Sequence, residues 1–235
     1  MQANEPGLRR VLLALDAAGP SPSAISFAVS LAARFETELD TMLLTQAELA
    51  RAAALPFASE ISLLAGLERR LDSAVMQRSL ESLAGRVRTR IMEVADPARV
   101  RWSLRLGAWP DWERRLAAPA AGSLFVLGHP PAHTGSPYPT RHDRARVCVV
   151  DHDAPSSQAA LEIATALDPE ATLVPVTDSA VDPGAEDDRG MLRLLACLGR
   201  LRPATVVLPL EWYVARARPL RPALARLDCN LLLVA

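Results

Sequence analysis

The chain has 235 residues, of which 50% are apolar and 4% aromatic, and its formal net charge is −1. That length holds one large or two small domains with a real core, and near-neutrality gives no general drive toward nucleic acid or an acidic membrane. No apolar stretch nears the roughly 20 residues of a membrane helix, and Met1-Gln2-Ala3-Asn4-Glu5-Pro6 lacks the basic-then-apolar order of a secretion signal.

Residues 9–16, Arg9 through Val11-Leu12-Leu13-Ala14-Leu15 to Asp16, are short, continuous and apolar, which predicts a buried parallel strand. A polar loop, 17–23, feeds a helix over 22–36 carrying Ala24, Ile25, Ala28, Leu31 and Ala32. Residues 39–45 predict a second strand, and 47–70 read as irregular because Leu55-Pro56-Phe57 interrupts any helix. Met76, Leu80, Leu83, Val87, Ile91 and Val94 then form an apolar stripe at helical spacing, ended by Asp96-Pro97. A strand at 100–106, a short helix at 109–117 and a buried strand at 123–128 follow.

Residues 129–145 hold too many prolines to sustain a helix or a central strand and read as a linker. Beyond them come a strand at 146–151, a helix at 156–167 and a strand at 171–177. An acidic loop, 178–188, leads to a helix at 189–200, a strand at 204–209, a helix at 213–227 and a last strand at 230–235. Strands alternating with helices indicate α/β architecture with parallel, doubly wound sheets.

The chain also says one thing twice. An apolar strand ending in aspartate, a polar loop and an Ala- and Leu-rich helix open both 1–128 and 146–235. The expected organisation is therefore two open parallel units in tandem, the second smaller, each with its own sheet. Asp16 and Asp151 close the opening strands, at the edge where ligands of open α/β sheets usually bind. Either aspartate can instead cap the loop or helix that follows it.

All 26 basic residues are arginine, which excludes Schiff-base lysines, P-loop lysines and Ser-Lys dyads. Cys148, Cys197 and Cys229 are widely spaced in apolar runs, the pattern of reduced core thiols in a cytoplasmic protein. His129, His133, His142 and His152 gather near Asp143, Asp151 and Asp153, and such side chains can hold a divalent metal. His129 and His133 lie in a proline-broken loop, however, so their spacing puts them on no common helical face. The arginines between Arg69 and Arg105 are interleaved with Glu68, Asp72, Glu81, Glu93 and Asp96, the pattern of a solvated surface. Trp102, Trp109 and Trp112 read as core or subunit-interface residues. No Gly-x-Ser-x-Gly, His-Glu-x-x-His, Gly-x-Gly-x-x-Gly or Cys-x-x-Cys motif is present.

Arg10-Val11-Leu12-Leu13-Ala14-Leu15-Asp16, the helix from Ser23 to Ala32, and Ala121-Gly122-Ser123-Leu124-Phe125-Val126-Leu127-Gly128 together resemble the universal stress protein family. Val147 to Asp151, Ala160-Leu161 and Leu227 to Val234 are similar to that family's first and last strands, so the likeness spans most of the chain in tandem. The resemblance implies an adenine nucleotide alpha hydrolase-like fold, with Asp16, Gly128 and Asp151 at the ligand positions. ATP-binding members carry G-x2-G-x9-G-[ST] after the fourth strand. Here Gly128-His129-Pro130-Pro131 puts proline, with no amide hydrogen, at the second glycine, and Gly135-Ser136 falls too early. The second unit offers Leu208-Pro209-Leu210-Glu211-Trp212, with no glycine and a carboxylate that repels phosphate. The expectation is a bacterial-type stress protein that binds or assembles without catalysis and takes no cofactor, in a homodimer that covers an open sheet edge of the first unit. Its alternatives are a regulatory protein that binds ATP or AMP through irregular backbone amides and an enzyme using the His/Asp-rich middle.

Overall fold

The computed structural model describes residues 8–45, 55, 59–61, 66, 68–70, 73–120, 122–128, 147–152, 155–176, 187–224, 227 and 229–235. Strand β1 (Arg10–Asp16) buries every residue from Val11 to Leu15, as a strand covered on both faces must. Helix α1 (Pro22–Arg34) starts where local chemistry sets it. Ser21 is the N-cap, its Oγ accepting the Ala24 N–H at 3.3 Å, and Pro22 opens the first turn. The chain continues through β2 (Glu38–Thr45), β3 (Ser59–Ile61), β4 (Glu68–Arg70), α2 (Ser73–Ala95), β5 (Trp102–Ala108), α3 (Trp109–Ala117) and β6 (Ser123–Gly128). Then come β7 (Val147–Asp151), α4 (Ser157–Leu167), β8 (Thr172–Pro175), α5 (Asp187–Leu201), β9 (Thr205–Pro209), α6 (Leu210–Leu224) and β10 (Asn230–Val234).

Eight strands form one sheet in the order β5-β2-β1-β6-β10-β9-β7-β8, and β3 and β4 pair as a separate antiparallel hairpin. Neighbours in the large sheet are parallel except β6 and β10. This corrects the expectation of two separate sheets. Strand β6 ends the first segment with no further strand of that segment beside it, and β10 pairs with it instead, Leu231 opposite Leu127 and Val234 opposite Leu124. An unpaired central edge would leave a row of backbone donors and acceptors unsatisfied. The open edge expected on the first unit is thus closed within the same chain.

Alternate residues of each central strand point to opposite faces. Val11, Leu13 and Leu15 join a core with α1, α2 and α4, while Leu12 and Ala14 join a second core with α3, α5 and α6. The protein is therefore a three-layer α/β/α structure with a Rossmann-like, mostly parallel sheet. Of the expected apolar stripe of α2 only Val87 and Ile91 are buried, joined by Ala95. The hairpin β3–β4 falls in the stretch expected to be irregular. Helix α6 begins at Leu210, directly after Pro209, rather than at residue 213. The linker at 129–145 and most of the acidic loop at 178–188 lie outside the described residues. Among the described residues, no helix is long and apolar enough to cross a membrane, and no disulfide joins the cysteines.

Candidate functional site

The antiparallel junction of the large sheet decides where the two expected ligand edges lie. Strands β1 and β6 run one way, and β10, β9 and β7 run the other. The carboxyl ends of β1 and β7 therefore face opposite ends of the sheet, so Asp16 and Asp151 cannot share one ligand.

At the first crevice, the Asp16 carboxylate accepts the Ala18 N–H at 2.9 Å, and the Asp16 carbonyl accepts the Gly19 N–H at 3.1 Å. Aspartate commonly closes a turn in this way, bonding to the backbone two residues on. Beside it, Gly128 is packed against β1 and α1. A Cβ there would sit 2.8 Å from Leu15 Cδ2, 2.9 Å from Ala24 Cβ and 3.3 Å from the Ala14 carbonyl oxygen. The glycine thus permits close strand–helix packing at the point where the resemblance placed a phosphate. Gly128→Ala is expected to cost about 2 kcal/mol, because Ala24 and the β1 backbone have little freedom to retreat. Chemical denaturation checks this, and a change below about 0.5 kcal/mol would show that Leu15 and Ala24 have room to give way.

The second crevice lies beyond β7 and β9. Asp151 is exposed, and its carbonyl accepts the Val176 N–H at 3.0 Å. Ser156, only 5% exposed, donates its hydroxyl to the Glu211 carboxylate, tying the start of α4 to the first turn of α6. A carboxylate in the first turn of a helix already answers the positive end of its dipole. Next to it, the His152 ring stands 6.2 Å from that of buried Trp212, and the His152 carbonyl accepts the Ser157 hydroxyl. The Glu211 charge at the helix start disfavours an incoming anion there.

Among the described residues the most elaborate polar cluster lies elsewhere, toward the outer edge of the sheet. Asp40 stands on β2 with a side chain 8% exposed. It accepts the Ser103 hydroxyl at 2.8 Å, Arg105 Nε at 3.2 Å, Arg105 Nη2 at 2.5 Å and Arg115 Nη1 at 3.1 Å. Burial alone pushes its carboxyl up, but the bonds from Arg105, Ser103 and Arg115 and the Arg105 charge outweigh this and hold it below the ordinary value of 3.8. Between β5 and α3 this cluster borders a cleft of about 420 Å³, lined by the polar side chains of Arg105, Asp111, Arg114 and Arg115 and by Met42, Leu106, Gly107 and Ala118. Arg114 pairs with Asp111, whose other oxygen caps α3 by accepting the Ala108 N–H at 3.2 Å.

The structure thus keeps Asp16 with Gly128 and places Asp151 at the other end of the sheet. His129, His133 and His142, with Asp143 and Asp153, lie outside the described residues. Among the described residues, no three His, Cys, Asp or Glu side chains gather as a metal would require. Of the tryptophans, Trp112 is core, edge-on to Phe125 at 5.6 Å, and Trp109 lies under the Arg221 guanidinium. Sequence reading missed the Asp40 cluster, although a carboxylate inside the apolar strand Leu39 to Thr45 was its visible signal.

Fold and geometry define a Rossmann-like α/β/α protein with a cleft at its outer strand to which three arginines contribute. No protein-family model matches the chain, and no curated protein matches it.

Proposed function

We propose that the chain is a tandem universal stress protein-like protein of the cytoplasm that acts by binding or assembly, with degenerate nucleotide sites and no catalysis. The observation that supports this reading is what stands at the two strand ends, a tightly packed glycine at the first and a carboxylate at the second. Gly128 is packed against Leu15 and Ala24 at one, and Ser156 is bonded to Glu211 at the other. The tandem part is supported by strand order, since β1 lies between β2 and β6 as β7 lies between β8 and β9. In each case the strand leads into a helix on the same face of the sheet. Homodimer formation belongs to this reading only through an outer edge, β5 or β8, because β10 occupies the edge of β6.

The test is a titration with ATP and AMP followed by thermal shift. ATP is expected to bind no tighter than about 100 μM, or roughly −5.5 kcal/mol. Binding in the low micromolar range that Asp16→Ala abolishes would overturn the reading in favour of the ATP- or AMP-binding regulatory protein.

A further inference from the structure

We propose that the cleft between β5 and α3 binds a small organic phosphate through Arg105, Arg114 and Arg115. This inference rests on neither strand-end crevice and stands apart from the stress-protein reading.

Charge is the first reason. Three guanidinium groups face two carboxylates, Asp40 and Asp111, so the cluster keeps an excess of one positive charge at a concave surface. Neutralising buried Asp40 needs one arginine, yet two converge on it from different elements. A purely structural ion pair requires neither the second guanidinium nor Arg114 beside it.

Pre-organisation is the second reason. Asp40 grips Arg105 through Nε and Nη2 and Arg115 through Nη1. A guanidinium carries five N–H donors in a fixed plane, so both side chains are held in place with donors left over. Fixing them in advance removes part of the ordering cost that a ligand otherwise bears. A phosphate monoester, with three acceptor oxygens and up to two negative charges, matches several forks better than a carboxylate does.

Shape is the third reason. The volume of about 420 Å³ falls within the range of small-molecule sites. Gly107 lets the Met42 side chain lie across the end of β5, for a Cβ there would stand 2.6 Å from Met42 Sδ. A thioether adapts to varied apolar shapes, and with Leu106 and Ala118 it offers the organic part of the ligand a soft wall. The ligand class is thus a phosphate joined to a compact apolar group.

The experiment measures thermal shift and calorimetric titration of the full chain with phenyl phosphate, inorganic phosphate, AMP and, as a neutral control, phenol, at low ionic strength. Phenyl phosphate is expected to saturate near about 1 mM, with inorganic phosphate weaker and phenol without effect. Arg114→Ala is expected to leave the unliganded Tm unchanged, because that side chain is 78% exposed. It should weaken phenyl phosphate binding by about fivefold or more, as loss of a charge-assisted bond implies. Arg115→Lys keeps the charge but loses the planar fork and should weaken binding by about threefold. The absence of a saturable shift up to about 20 mM phenyl phosphate, or undiminished binding in both variants, would overturn the proposal. Binding that Asp16→Ala abolishes and Arg114→Ala spares would overturn it too, by placing the ligand at the strand end. Low-micromolar AMP binding of that second kind counts against the stress-protein reading, whereas an AMP shift that Arg114→Ala weakens places AMP in the β5–α3 cleft.

Discussion

Replacing Trp112 with alanine is expected to lower the unfolding free energy by about 4 kcal/mol. Trp112 is 1% exposed, on the face of α3 turned toward the sheet, and its ring meets Phe125 of β6 edge-on at 80°. Phe125 lies opposite Leu12 on β1 and Leu233 on β10, so the contact sits over the middle of the sheet where its two segments join. Truncation would remove a large apolar area and leave a cavity that strands on one side and α3 on the other cannot close. Trp112→Phe is expected to cost far less, about 1 kcal/mol, because it keeps an aromatic ring against Phe125. It also deletes a buried indole N–H that meets no acceptor among the described residues. Trp102→Ala on the outer strand, where the ring is only partly buried, should cost about 1 kcal/mol. Urea denaturation measures all three, and a Trp112→Ala loss below about 2 kcal/mol would mean that α3 is not a fixed part of the core.

Asp40→Ala is expected to destabilise the protein by about 3 kcal/mol, at the lower end of the cost of breaking a buried pair, because Arg105 and Arg115 keep partial access to water. Asp40→Asn retains the shape and can still accept from Ser103, yet cannot balance two guanidinium groups, and should cost about 2 kcal/mol. The pH dependence has a definite sign. The folded protein holds the Asp40 carboxyl below its ordinary 3.8. Its contribution is therefore fully present above that value and disappears as pH falls through the lower folded one. The stability difference between the natural protein and Asp40→Asn should be constant from about pH 5 to 7 and shrink below about pH 4. Taking the difference cancels the other carboxylates, including Asp111, which also titrates low because it accepts the Ala108 N–H and faces Arg114 and Arg115. A difference that grows on acidification would show that the pair does not hold the carboxylate ionised.

Much of the architecture was legible in the residues alone, because the signals concerned are local. Five consecutive buried positions in β1, the Ser21-Pro22 start of α1 and the apolar runs of β6, β9 and β10 each act within a few neighbours. The position of Asp16 and Asp151 at strand ends follows from the same runs. What no local pattern carries is the edge that a strand will seek. β10 is as apolar as any central strand, and only the assembled sheet shows that it joins β9 in parallel and β6 in antiparallel. That one choice merged two expected sheets into one and closed the edge thought to need a second copy. The same limit applies to side chains. Asp40 is visible as a carboxylate in an apolar strand, but its partners stand 63, 65 and 75 residues away. Ser156 meets Glu211 across 55 residues. Sequence spacing sets which residues share a helix face or a strand face. Only packing of strand on strand and helix on sheet brings distant charges within hydrogen-bond reach, and it was this that built the arginine cleft and joined Ser156 to Glu211.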